Sequence, residues 1–158
     1  MNATEKFDSE ELVRHLNAHV KCRGKLQTVF AIREFLQELG SYENSIDGLL
    51  GEVYAEEKIG MIKANANEKS IDGKIGEKTI QVKTKGGAKN YRDSQHYISL
   101  NVKNEEMVDL LLMVIIKDKQ IHSHGPCERI KITGRTQKDE KTKRYYLNDI
   151  KKVLDNPN

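Results

Sequence analysis

Cysteine and long apolar runs are scarce in this sequence, and each shortage excludes a class of protein. The two cysteines, Cys22 and Cys127, lie far apart, which suits reduced thiols better than a disulfide framework. No apolar run approaches the ~20 residues that cross a membrane, and the first residues do not form a signal peptide. We therefore expect a cytoplasmic protein that does not enter a membrane.

The chain also lacks linkers, repeats and a nucleotide-binding loop. Its two prolines, Pro126 and Pro157, fall in a late turn and at the tail, and no low-complexity stretch divides the 158 residues. The pattern G-x-x-x-x-G-K-[ST] is absent from the sequence, so no nucleotide cofactor is expected. A single domain over 1–158, long enough to bury a proper core, is the simplest interpretation.

Positive charge is concentrated in the middle of the chain. The net charge is only +3, but residues 1–60 carry −4, residues 61–103 carry +5 and residues 104–158 carry +2. A local excess of lysine and arginine attracts polyanions. Lysines at this density are also typical of an ordinary solvated surface, so both interpretations stay open.

Helical periodicity dominates the first part of the chain, and strand patterns dominate most of the rest. Amphipathic runs predict helices over 8–20, 26–39 and about 47–59, and Gly40 and Gly60 end the last two. The expected strands are 61–66, 70–75, 78–85, 96–102, 110–116, 121–124 and 129–133. The continuous apolar run 110–116 is expected to be a central strand that is buried on both faces.

Helices first, then a sheet, then a closing helix predict an α/β (α+β) fold. We divide the domain into an N-terminal helical segment (1–45), a core (46–134) and a C-terminal part (135–158). In the C-terminal part, 135–144 is polar and basic and is expected to be mobile, whereas 147–154 is expected to form a terminal helix.

The stretch 70–83 predicts a hairpin that brings three chemically useful side chains together. The Gly76-Glu77 pair suits a two-residue turn, and strands paired around it place Asp72 opposite Gln81, with Cβ atoms about 4.5–5.5 Å apart. Alternation puts Gln81 and Lys83 on one face of their strand, with apolar neighbours on the other. An acid, an amide and an amine therefore converge, as a metal-dependent site for phosphodiester cleavage requires.

Further metal ligands are available nearby. Gln81 can offer its amide oxygen and Val82 its backbone carbonyl. The preceding helix offers Glu52, Glu56 and Glu57, and the first two share a helical sector with apolar residues: Leu49, Val53 and Ile59. Acids in an apolar sector are costly unless they have partners, which makes them candidate ligands. The sequence leaves open which of the three glutamates enters the site.

These motifs resemble the PD-(D/E)xK nuclease superfamily, which has the restriction-endonuclease-like fold. Gly48-Leu49-Leu50-Gly51-Glu52 is similar to its helix-borne glutamate motif, and Asp72 followed by Gln81-Val82-Lys83 is similar to its D…(D/E)xK core. The resemblance implies a central mixed β-sheet flanked by helices. It also implies that Glu52 and Asp72 bind Mg²⁺, with Mn²⁺ as a substitute, and that Lys83 is the catalytic lysine.

Gln81 stands where the majority of the superfamily has an acid. The Q-x-K version resembles the Mrr-type and replication-repair nuclease branches. A neutral amide removes one negative charge, so it weakens metal binding and favours one occupied metal position over two. Ile71 stands where the family name has proline, a position of little weight.

The resemblance implies an endonuclease that acts on DNA, in restriction, repair or defence. We expect the phosphate backbone to contact Lys74 and the basic residues of the loop after the hairpin, namely Lys85, Lys89 and Arg92. A chain of this size reaches one strand easily, so cutting both strands of a duplex favours a homodimer.

Two other classes of function stay open. A nuclease-like domain with glutamine at position 81 can be inactive and only bind DNA. Alternatively, Asp72 and Lys83 form an ordinary surface ion pair, Glu52 is solvated, and the chain is a small protein-interaction domain. The sequence does not reveal a recognition sequence, a base modification, a choice between DNA and RNA, or a preference for duplex, junction or flap.

Overall fold

Helices precede and follow a run of strands in the computed structural model, which describes residues 14, 24–40, 44–65, 67–68, 70–86 and 92–156. The helices are α1 (Lys25–Glu38), α2 (Asn44–Tyr54) and α3 (Leu147–Asp155). The strands are β1 (Ile62–Lys63), β2 (Gly73–Ile75), β3 (Lys78–Gly86), β4 (Tyr97–Asn101), β5 (Leu110–Lys117), β6 (Gln120–Glu128), β7 (Arg135–Thr136) and β8 (Thr142–Tyr146). None of the helices in these ranges is long and apolar enough to cross a membrane.

The helix boundaries follow the expected stop signals. A π-helix, Ala55–Ile59, continues α2 and ends at Gly60, whose φ of 76° is the left-handed conformation that glycine adopts at no steric cost. Helix α2 begins at Asn44 rather than at Asp47. The helix expected over 8–20 lies outside the described residues, apart from Arg14.

The strands form two sheets. The larger sheet is mixed, with the order β1-β2-β3-β5-β6, and β3 and β5 are its parallel pair. The smaller sheet is antiparallel, with the order β4-β8-β7. Helices α1 and α2 cover one face of the larger sheet, while the smaller sheet and α3 cover the other. This arrangement confirms the predicted α/β (α+β) class, with a mixed central sheet flanked by helices.

Strand β5 is buried on both faces, as its continuous apolar run predicted. Leu112 and Val114 pack with Val82 on the side of α2. Leu111 and Met113 pack on the opposite side, against the smaller sheet and α3. All four β5 side chains are fully buried, so this strand ties the two layers of the core together.

The prediction of a strand over 129–133 was wrong. Arg129–Lys131 form a 3-10 helix, which the bond from Ile132 N to Arg129 O closes at 3.0 Å. The Arg129 amide makes the last bond of the β5–β6 ladder, to the backbone oxygen of Asp109 at 2.8 Å, and the chain turns directly after it.

Half of the stretch 135–144, which was expected to be mobile, belongs to the strands β7 and β8. Strand β8 pairs with β4 from Thr142 to Tyr146. Its polar residues have partners far away in the sequence: Lys143 Nζ lies 2.8 Å from Glu105 Oε1, and the buried Tyr145 hydroxyl donates to the same oxygen. Local polarity gave no sign of these long-range contacts.

Gly51 allows α2 to approach β3 closely and so places the neighbouring Glu52. A Cβ at position 51 would lie 1.8 Å from Thr84 Oγ1 and 3.4 Å from Val82 Cγ1, whereas a Cβ at Gly48 would meet nothing within 4 Å. The separation between helix and strand is therefore set by the missing side chain at Gly51.

We expect Gly51→Ala to lower the free energy of unfolding by about 1–3 kcal/mol, because the helix must move away from the strand. Gly48→Ala on the same helix is the matched control and should keep or raise stability, by up to about 1 kcal/mol, through helix propensity. Urea unfolding followed by circular dichroism measures both. Thr84→Ala should recover part of the loss, and equal effects of the two glycine substitutions would contradict the close approach.

Candidate active site

The hairpin has the register that its sequence predicts. Gly76 has a φ of 59° in the two-residue turn, and Ile75 pairs with Lys78. Strand β2 stays paired with β3 only as far as Gly73, opposite Ile80. Asp72 therefore lies at the point where the two strands begin to separate.

The Asp72 side chain bonds to the edge of β3 at the position where β2 no longer pairs with it. The Asp72 amide still donates to Ile80 O at 3.0 Å, while its Oδ2 accepts hydrogen bonds from Val82 N at 2.7 Å and from Gln81 Nε2 at 2.5 Å. The amide and carbonyl of one extended residue point to the same strand edge, so the Val82 carbonyl also lies on the edge that faces Asp72. The structure thus brings Asp72, Gln81 and the Val82 backbone together.

The two faces of β3 differ as alternation predicts. Ile80 and Val82 are buried against the helices, whereas Lys83 is exposed and Gln81 is half-buried. Gln81 and Lys83 share their face with Leu111 and Met113, their partners on parallel β5. The polar site therefore lies at the margin of an apolar layer.

The charges of a glutamate and a lysine act on the Asp72 carboxylate and shift its pKa. Burial raises the pKa of Asp72, and the negative charge of Glu52 raises it further. The Val82 amide, Lys83 and Lys63 lower that pKa, but they do not outweigh the burial. Glu52 from α2 and Lys83 from β3 are thus close enough to act on the Asp72 carboxylate.

Of the three helix glutamates, Glu52 is the one whose charge acts on Asp72. Glu56 Oε2 lies 2.8 Å from Lys25 Nζ, and Glu57 Oε1 accepts from Leu26 N at 3.1 Å, so both contact α1. The expectation that Glu52 lies within an apolar sector was wrong in part. Leu49 is 40% exposed, and Glu52 is half-buried at the edge of the buried face.

Lys63 is a site residue that the sequence analysis missed. Its Nζ lies 2.6 Å from Glu52 Oε2, and this contact raises the pKa of Lys63, with smaller contributions from Glu56 and Asp72. Lys63 reaches the site because it pairs with Gly73, the residue after Asp72. A strand was expected over 61–66, but a two-residue strand has no alternation that predicts its register.

Only some of the residues that were expected to contact phosphate lie beside the candidate site. Lys83 and Lys85 share one face of β3, and neither has a carboxylate within 4 Å in the part of the chain that the structure describes. Lys74 Nζ lies 3.8 Å from Glu68 Oε1 at the far end of the hairpin. Arg92 is exposed, and Lys89 lies outside the described residues.

The donor set suits a hard divalent cation. It comprises the carboxylates of Glu52 and Asp72, the amide oxygen of Gln81 and the backbone carbonyl of Val82. Oxygen donors of this kind suit Mg²⁺ or Mn²⁺, which are commonly held by one or two carboxylates plus water. Within the described ranges, no three His, Cys, Asp or Glu side chains assemble as a metal-binding group.

Comparisons with known proteins add no assignment. No protein-family model matches the chain, and no curated protein sequence matches it significantly. The motifs and the geometry around Asp72 are therefore the basis for inferring a function.

Proposed function

We propose that this protein is a Mg²⁺-dependent endonuclease that hydrolyses phosphodiester bonds of DNA. The observation that supports it best is the environment of Asp72. This half-buried carboxylate lies where two strands separate, accepts bonds from Gln81 and Val82, and is close enough to Glu52 and Lys83 for their charges to shift its pKa. A surface ion pair does not need a buried acid beside a second acid.

Each residue has a defined task in this proposal. Glu52, Asp72, Gln81 and the Val82 carbonyl would hold the cation, which supplies electrostatic stabilisation and an acidified water when it is bound. Lys83 places a positive charge beside the phosphate and stabilises the negative charge that develops there during hydrolysis. The hydrogen bond from Gln81 Nε2 fixes the orientation of the Asp72 carboxylate.

Lys63 balances the charge of the site between reactions. Two carboxylates close together repel each other, and Lys63 offsets that repulsion through its contact with Glu52. Lys63 is 53% exposed, so it can swing into solvent and release Glu52 at little cost.

The wider role follows from the same proposal. We infer an intracellular enzyme of restriction, repair or defence, whose exposed Lys83 and Lys85 contact the DNA backbone. A homodimer would present two such sites and so cut both strands of a duplex.

A cleavage assay on supercoiled plasmid and branched DNA tests the proposal. We expect cutting with Mg²⁺ or Mn²⁺ and none in EDTA. Lys83→Met should abolish cutting but leave DNA binding within about tenfold, since one phosphate contact among several is lost. Lys103→Met, which changes an exposed lysine on the 3-10 helix Val102–Met107, should cut normally. Undiminished cutting by Lys83→Met would refute the assigned role.

One observation favours a second function, DNA binding without cleavage. Glu52 is already paired with Lys63, whose Nζ lies 2.6 Å from Glu52 Oε2. An inactive nuclease fold predicts no cutting with either metal, together with binding that weakens steeply as salt is raised. A protein-interaction domain predicts no such binding at all.

A further inference from the structure

Aromatic and basic side chains alternate on the outer face of the smaller sheet. Tyr97 pairs with Tyr146 across β4 and β8, and their ring centroids are 5.7 Å apart at an angle of 58°. The Arg144 guanidinium lies 4.2 Å from the centroid of Tyr97, and that of Arg135 lies 4.8 Å from the centroid of Tyr146. We call Tyr97, Arg135, Arg144 and Tyr146 the aromatic–basic surface.

This surface is continuous with the candidate active site through β3. Lys85 Nζ lies 5.4 Å from the centroid of Tyr97. Lys85 is two residues beyond Lys83 on the same face of the strand, a distance of about 6.5–7 Å. A polyanion that contacts Lys83 can therefore continue over Lys85 onto Tyr97 and Arg144.

Among the described residues, no carboxylate neutralises the positive charges at this junction. Several other basic side chains have carboxylate partners, such as Lys78 with Glu128 and Arg129 with Glu105. For Lys85 and Arg144, no carboxylate lies within 4 Å among the residues that the structure describes. Their positive charge is therefore available to an external anion.

Both cations are also partly buried, which makes the missing anion costly. The Nε of Arg144 is buried and has no hydrogen-bond partner within the described ranges. Lys85 is half-buried, and burial together with the nearby Lys83 lowers its pKa. Leaving a donor or a cation desolvated without a partner destabilises the fold, so the arrangement suits a bound ligand better than an empty surface.

We propose that the aromatic–basic surface binds an unpaired stretch of the DNA strand, next to the phosphate that is cleaved. The phosphates contact Lys85 and Arg144, and a base stacks on the layer that Tyr97, Tyr146 and Arg144 form. This proposal depends on the function proposed above and makes its substrate more specific: DNA with a single-stranded segment, such as a flap, overhang or junction. Bases in an intact duplex are already stacked and cannot use tyrosine rings, whereas unpaired bases can.

Binding measured in EDTA tests this proposal without any cleavage. Fluorescence anisotropy compares a single-stranded oligonucleotide of about 16 nucleotides with a duplex of the same length and with an abasic strand that keeps the phosphates. We expect the unmodified single strand to bind about tenfold more tightly than the abasic strand, since base stacking on aromatics is lost.

Substitutions test which side chains cause the preference for the unmodified single strand. Tyr97→Leu should remove most of the preference for the unmodified strand, and Tyr97→Phe, which keeps the ring, should retain it. Arg144→Met serves as a second variant on β8 and should weaken binding to all three ligands. Tyr54→Leu is the matched control, because Tyr54 contacts Ser123 on the opposite side of the large sheet; it should leave the preference unchanged.

Three results would overturn the proposal: equal affinity for the unmodified and abasic strands, tighter binding of the duplex, or the same loss in Tyr54→Leu as in Tyr97→Leu. The binding test and the cleavage test can fail separately. A preference for unpaired bases without any cutting refutes only the enzyme, and cutting without that preference refutes only the aromatic–basic surface.

Discussion

Asp72→Asn is expected to lower the rate of DNA cleavage by about 10²–10³-fold, the effect of removing one essential charge from a preorganised site. Asparagine has nearly the same shape as aspartate, and its carbonyl oxygen can still accept the hydrogen bond from Val82 N, which is 2.7 Å long in the native protein. The substitution therefore removes the negative charge and leaves the hairpin intact. Steady-state cleavage of a labelled oligonucleotide with Mg²⁺ measures the change.

The same substitution should not destabilise the protein. The pKa of Asp72 is raised in the folded state, first by burial and then by the negative charge of Glu52. A carboxyl with a raised pKa is disfavoured in its ionised form, so ionised Asp72 opposes folding at neutral pH. We expect the melting temperature of Asp72→Asn to equal or exceed that of the native chain at pH 7. The difference should vanish below the ordinary aspartate pKa of 3.8, where both states hold the proton.

Asp155→Asn is the control for this experiment, because it removes the same charge at the exposed end of α3. It should leave cleavage unchanged. A loss of activity that is accompanied by a lower melting temperature at neutral pH would indicate a structural role for Asp72. A loss of activity at unchanged or higher stability supports a role in binding the cation.

Asp47→Ala is expected to lower the free energy of unfolding by about 1–3 kcal/mol, as removing the acceptor of a buried hydrogen bond does. Arg33 Nε donates to Asp47 Oδ1 at 2.6 Å, and the two side chains are only 3% and 5% exposed. The pair links α1 to α2 beneath the end of β3, where a Cβ at Gly86 would lie 2.4 Å from Asp47 Oδ2. Without this carboxylate, the buried Arg33 Nε loses its 2.6 Å acceptor, while Arg33 Nη1 keeps Glu34 Oε1 at 2.5 Å.

A loss of that size is a substantial part of the roughly 5–15 kcal/mol that stabilises a typical domain. It should also lower nuclease activity at 37 °C, because α2 carries Glu52. Urea unfolding followed by circular dichroism measures the free energy. Glu38→Ala, at the exposed end of α1, should change it by no more than about 0.5 kcal/mol.

A double substitution tests whether the buried charge of Arg33 causes the loss of stability in Asp47→Ala. Arg33→Met combined with Asp47→Leu replaces both charges with apolar groups and should be more stable than Asp47→Ala alone, because both members of the buried pair are removed together. A cost below about 1 kcal/mol for Asp47→Ala would show that Arg33 finds other partners.

The local parts of the site could be read from the sequence, because they depend on neighbours along the chain. The turn at Gly76 and the alternation that follows determine which β3 residues face Asp72, and both are properties of a few consecutive residues. The run 110–116 identified the buried strand because continuous apolarity suits only a strand covered on both faces.

Contacts between distant segments could not be read in this way. The pairing of β8 with β4 brings Arg144 onto Tyr97, and the pairing of β1 with β2 brings Lys63 onto Glu52. Each lysine or arginine looks solvent-exposed in its own segment. Its partner is an aromatic ring or a carboxylate that lies at least 11 positions away.

The amino-acid order alone therefore determined the fold class, the hairpin and the alternating faces of β3, since these follow from the steric and apolar preferences of adjacent residues. Folding in three dimensions decided which glutamate acts on Asp72, which cation neutralises that glutamate, and which cations have no carboxylate within 4 Å among the residues described. Those outcomes depend on the distances between charges carried by separate elements. The packing of α2 on β3, which Gly51 permits, and the register of the short strand β1 set those distances.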